Sequence, residues 1–146
     1  MSQILGRIAG FEMVETGIHV VLGLAGLFFL FTGIMSFLQP AKFARSLSLE
    51  TVGRSGCVEI QAQYGGFFFL AGLSLFAPLA GLISQEAALI VMLVIFGGLI
   101  AGRLGSLLTK QASEPLIPMI RTLYLIDGAG FAAALAALLL INGVAA

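Results

Sequence analysis

Tryptophan is absent from this chain, and cysteine, histidine and charge are scarce. The one cysteine, Cys57, has no partner for an intramolecular disulfide, and no CxxC redox pair or cysteine metal site can form. A single His19 argues against haem or zinc ligation within the chain, so no metal site and no cofactor is expected. Charged residues make up 10% of the sequence, against about 25% in a soluble domain. Lys and Arg number 7 and Asp and Glu number 7, so the net basic charge expected of a nucleic-acid binder is missing. No nucleophile elbow, P-loop, HExxH or dinucleotide fingerprint is present, and no catalytic residue is assigned.

What the chain has is apolar length. Of its 146 residues, 60% are hydrophobic, and the mean hydropathy is +1.11. The pattern predicts an all-α integral membrane bundle forming a single domain, with spans over residues 18–38, 57–83, 87–108 and 119–141. Each has about 20 apolar-rich residues, enough to cross roughly 30 Å of hydrocarbon. The first run is too long for a signal-peptide core and follows Glu12 and Glu15, so it reads as a retained span. Ahead of it, Ile4, Leu5, Ile8 and Phe11 share a helical face. That segment is either a short interfacial helix or an extension of the first span. The long connection from Gln39 to Gly56 carries Phe43 and Leu47 at helical spacing, which suits the membrane surface. The connection from Ser84 to Glu86 is so short that the second and third spans must be antiparallel neighbours.

Three charges fall inside or at the edge of these spans: Glu59, Arg103 and Asp127. A charge at bilayer depth costs about 3 kcal/mol or more, so each needs a partner or a function. Arg103 lies about 8 Å from the end of the third span and Asp127 about 12 Å into the fourth, at 1.5 Å per residue. Glu59 starts the second span, so all three share one half of the membrane. Gln61, Gln63, Tyr64 and Tyr124 lie at the same level, with Gln63 four residues from Glu59 and Tyr124 three from Asp127. The expected intramembrane polar cluster is therefore Glu59, Gln63, Tyr64, Arg103, Tyr124 and Asp127. It is either a pocket for a headgroup or a proton, or an ion-pair lock that fixes helix register.

Glycine is the second signal. Gly65 and Gly66 follow Tyr64, and Gly98, Gly102 and Gly105 line the third span. Small residues let helix backbones approach in lipid, so these five are expected at helix contacts. The run on the third span further suggests a homo-oligomer or a larger membrane complex. On the other side, Glu12, Glu15 and His19 stand at roughly helical spacing.

The segments Glu59-Ile60-Gln61-Ala62-Gln63-Tyr64-Gly65-Gly66 and Phe96-Gly97-Gly98-Leu99-Ile100-Ala101-Gly102-Arg103, followed by an acid at Asp127, carry a resemblance. They resemble a domain-of-unknown-function family of small four-helix bacterial membrane proteins, over roughly residues 23–140. The resemblance implies a bacterial inner membrane. The arrangement is also distantly similar to the DoxX-like group, which includes membrane subunits of redox systems. The resulting expectation is a small non-enzymatic protein of the inner membrane. It would act as an accessory or interaction subunit, in contact with membrane lipids and holding a lipid-like ligand near Arg103. The alternatives are a quinone-binding subunit of a membrane redox system and a small proton or solute transporter.

Orientation follows from the basic residues. Lys42, Arg45 and Arg54 lie in the first connection, and Lys110 and Arg121 lie at the third, whereas the N-terminus, second connection and C-terminus carry only Arg7. The positive-inside rule then puts both termini in the periplasm. A periplasm-active reporter fused at Ala146 should be active and a cytoplasm-active one silent. The opposite result would invert the topology.

Overall fold

A computed structural model describes residues 2–108 and 115–145, with side chains for 10, 12–108 and 115–143. Six α-helices carry the chain: α1 (Ser2–Leu38), α2 (Pro40–Ser46), α3 (Gly53–Ile60), α4 (Phe67–Phe76), α5 (Gln85–Gly105) and α6 (Pro118–Ala145). A π-helical turn, Gln61–Gly66, joins α3 to α4 without a break, and a 3₁₀ turn, Ala77–Ala80, follows α4. No strand occurs among the described residues. Four helical stretches are long and apolar enough to cross a membrane: Glu12–Leu38, Gly53–Ala80, Gln85–Leu108 and Pro118–Gly143. The protein is thus an all-α membrane bundle of four spans.

The breaks have local causes. Pro40 lacks an N–H and disfavours helical geometry at the residue before it. Gln39 accordingly leaves the helix at φ −134°, ψ 59°, and Pro40 starts α2. Pro78 sits in the 3₁₀ turn, and Gly81 ends it in the left-handed region at φ 68°, a conformation open to glycine at little cost. The second span therefore stops at Ala80, short of the expected residue 83, and it begins earlier, at Gly53. Ser84 caps α5 by accepting from the Ala87 N–H at 3.1 Å, and Glu86 in the first turn suits the positive end of the helix dipole.

The segment before the first span is continuous with α1. Of the two readings, extension of the span holds. The face formed by Ile4, Leu5, Ile8 and Phe11 lies outside the described side chains, and Lys110 lies outside the described residues.

The spans pack as two pairs, α1 against α4 with its π turn and α5 against α6. Phe29 lies at the centre, its ring 5.3 Å from Phe68 and 5.0 Å from Phe96. Leu22, Leu75, Leu89, Met92 and Ala134 complete a dry core. Leu24, Leu27, Leu125 and Leu139 are exposed on the outside, as expected where lipid replaces water.

Glycine makes the first pair possible. A Cβ on Gly33 would lie 2.6 Å from the backbone nitrogen of Phe69, and one on Gly72 would lie 2.8 Å from the carbonyl oxygen of Gly26. At Gly65 an added Cβ would meet the Phe37 ring at 2.7 Å. Gly66 is not at such a contact, since its nearest atom is the Gln61 oxygen of its own turn at 3.8 Å. Gly98, Gly102 and Gly105 depart further from expectation: a Cβ there meets nothing within 4 Å. Among the described residues they therefore make no close contact with another helix.

Gly33→Ala and Gly72→Ala should each destabilise the bundle by about 1–3 kcal/mol, the usual effect of overpacking. Gly105→Ala should leave it unchanged or slightly more stable. Thermal unfolding in detergent reads all three, and equal melting of the Gly33 variant and the parent would refute the close-approach argument.

Candidate functional site

Arg103 comes from the last turn of α5 and Asp127 from the middle of α6. The Arg103 Nη1 forms an ion pair with the Asp127 Oδ2. Asp127 is 1% exposed and Arg103 20%. One turn before Asp127, the Tyr124 hydroxyl donates to the Arg103 carbonyl oxygen at 2.8 Å. The Arg103 guanidinium carbon lies 5.9 Å from the centre of the Tyr124 ring, within reach of a cation–π attraction. Two contacts from adjacent turns of α6 therefore hold one residue of α5, and the pair is locked in depth and in rotation.

Tyr64 reaches the same region from the π turn. Its ring stacks on Phe68 at 6.0 Å and meets Phe43 of α2 at 5.3 Å. A π turn admits an extra residue into the helix and rotates the turns beyond it, and such turns recur at functional sites. Tyr64 and Phe68 face inward, while Glu59 and Gln63 are exposed on another face. The expected cluster is corrected at these two positions. Glu59 does not pair with Arg103, and neither Glu59 nor Gln63 borders the site. Their mutual spacing puts them on one face, as expected, but that face points outward. Gln61 donates through Nε2 to the Phe37 carbonyl at 2.9 Å and ties the π turn to the end of α1.

Beside the ion pair lies a cavity of about 910 Å³ between the two helix pairs. Its walls are mostly apolar: Phe28, Phe31 and Met35 from α1, Tyr64 and Phe68 from the second span, Leu99 from α5, and Met119 and Leu123 from α6. Arg103, Asp127 and Tyr124 form a polar end, and α2 closes that end with Lys42 and Phe43. Gly98 and Gly102 also border the space, which explains why a Cβ there would meet nothing. The cavity is not sealed on its lipid side, where Phe31 is 67% and Met119 44% exposed.

Sequence reasoning misses Lys42 and Phe43 as site residues. Lys42 enters it only through orientation, and Phe43 and Leu47 read as facing the membrane surface, whereas all three border the cavity. Their helical spacing is the available signal, since a short amphipathic helix can cover a cavity as well as lie on lipid. At the other end of the bundle, His19 pairs with Gln85, Nε2 to Nε2 at 2.9 Å, while Glu12 and Glu15 stay exposed. Among the described residues, no three His, Cys, Asp or Glu side chains gather as metal ligands.

The chain belongs to a family described as a domain of unknown function (DUF4345), whose model matches residues 18–122. The match takes in the π turn and Arg103 and stops before Tyr124 and Asp127. No curated protein and no solved structure matches the chain.

Arg103→Leu strands Asp127 in a dry environment and should lower stability by about 3–5 kcal/mol. The double change Arg103→Leu with Asp127→Leu should recover part of that loss, because no unpaired charge remains. Tyr124→Phe should lose about 1 kcal/mol, one hydrogen bond. Unfolding midpoints in detergent distinguish the three, and a parental midpoint for Arg103→Leu would show that the pair does not restrain the fold.

Proposed function

We propose that this family member is a bacterial inner-membrane protein of non-enzymatic type that holds a lipid-like amphiphile in the cavity beside Arg103. It serves there as an accessory or interaction subunit, as a homo-oligomer or within a larger membrane complex. Both termini face the periplasm, and the polar end of the cavity, with α2, lies toward the cytoplasm. The observation that carries the reading is the cavity itself. A space of about 910 Å³ falls within the range of roughly 300–1,000 Å³ typical of ligand sites. Its apolar walls continue from the lipid-exposed Phe31 and Met119 and end at a guanidinium. An amphiphile with a long apolar part and one polar head matches that gradient.

A quinone is the second reading, and one observation favours it. Phe43, Tyr64 and Phe68 form a continuous aromatic series along one wall, against which a flat ring can stack.

Purification in mild detergent, followed by extraction and mass spectrometry, should recover about one amphiphile per chain, as befits one site. Replacing both Gly98 and Gly102 with Leu should fill the space and abolish recovery while helicity by circular dichroism stays unchanged. Recovery of a quinone would favour the second reading. A parent chain that carries no more lipid than the filled variant would end both.

A further inference from the structure

The polar end of the cavity has an excess of donors and of positive charge. Among the described residues its charged lining consists of Lys42, Arg103 and Asp127, two cations against one acid. Glu50 and Glu59 are exposed elsewhere and do not border the space. The hydroxyls of Thr32 and Ser46 also border it, but each donates its proton to its own helix, to the carbonyls of Phe28 and Phe43. Neither offers a donor to a ligand. Arg103 is different. Its planar fork carries five N–H donors, and Asp127 engages one terminal nitrogen. Lys42 on α2 is exposed at the mouth and has no ion-pair partner among the described residues. Tyr64 and Gln39 also line the cavity and add polar groups to its surface.

Donors in excess of acceptors, at the polar end of an apolar cavity, favour a ligand that brings acceptors. A guanidinium fork matches the two oxygens of a carboxylate or a phosphate. The net charge of plus one in a partly dry site disfavours a cationic head and leaves a zwitterion uncompensated. Resting on the amphiphile reading above, we infer that the cavity selects an amphiphile whose head is a monoanionic oxyanion, held between Lys42 and Arg103. Asp127 limits the selectivity. It already neutralises Arg103, so the site compensates one negative charge. Lys42 supplies that charge, and Arg103 supplies hydrogen bonds of fixed direction. A phosphodiester lipid and a fatty acid share this chemistry, and only their acyl bulk separates them.

The test uses the delipidated full chain in neutral detergent. It is offered an equimolar mixture of phosphatidylglycerol, oleate and phosphatidylcholine, and retained lipid is measured by mass spectrometry after gel filtration. Each anion should exceed phosphatidylcholine by about tenfold, the effect of one hydrogen-bonded charge. The ratio of phosphatidylglycerol to oleate then tells a lipid head from a free carboxylate. Lys42→Gln lies outside the core, so its fold should persist. It should bring the ratio of each anion to phosphatidylcholine close to one without reducing phosphatidylcholine retention. Equal retention of all three lipids by the parent would overturn the charge inference. If the double change Gly98→Leu with Gly102→Leu then released them all, the amphiphile reading would stand without it. A Lys42→Gln variant that keeps the full anionic preference would also overturn the inference. No retention by the parent would take down the inference together with the reading beneath it.

Discussion

The ion pair between Arg103 and Asp127 sets the rest of the structure around it. Two full charges at membrane depth are tolerable when each neutralises the other, and removal of Arg103 leaves the buried Asp127 without its counter-charge. The pair therefore dictates that α5 and α6 meet at one depth and in one rotation, and the Tyr124 hydroxyl on the Arg103 carbonyl reinforces both. With that hairpin fixed, Leu99, Gly98 and Gly102 on α5 and Leu123 on α6 are presented to the space beside α1. The cavity and its polar end are thus consequences of the same contact. Whether the pair is viewed as a lock or as part of a site, the geometry is common to both.

The glycines divide into two physical roles. Gly26, Gly33 and Gly72 sit where the two helices touch, and a single methyl group would collide with main-chain or ring atoms. In lipid no hydrophobic force drives helices together, so close contact and dispersion must hold α1 to α4. Gly98 and Gly102 do the reverse. They leave room, and the room is the cavity. The atoms opposite them separate the two groups.

Much of this was legible from residue order. In hydrocarbon every backbone polar group must be satisfied within the segment, so a run of about 20 apolar residues has one outcome, a helix. Pro40 and Pro78 marked breaks because a missing N–H cannot be supplied from elsewhere. The shared depth of Arg103 and Asp127 followed from a constant rise per residue. The exclusion of Glu59 and Gln63 was not legible. Both are exposed and lie off the cavity lining, and which way a helix face points depends on packing with the other helices. The role of α2 was hidden for a similar reason. Phe43 and Leu47 define an apolar face under either placement, and only the position of α2 over the helix ends turns that face inward.

Residue order alone thus settles the number of spans, the shared level of Arg103 and Asp127 and membership in an all-α membrane class. These are one-dimensional quantities, set by apolar length and by the cost of unsatisfied groups in lipid. The tertiary structure decided which acid Arg103 meets, which glycines touch a neighbour and which line empty space, and that Lys42 stands at a cavity mouth. Each of these depends on the rotation of a helix about its axis. That rotation is selected by packing across all spans at once, and no local pattern encodes it.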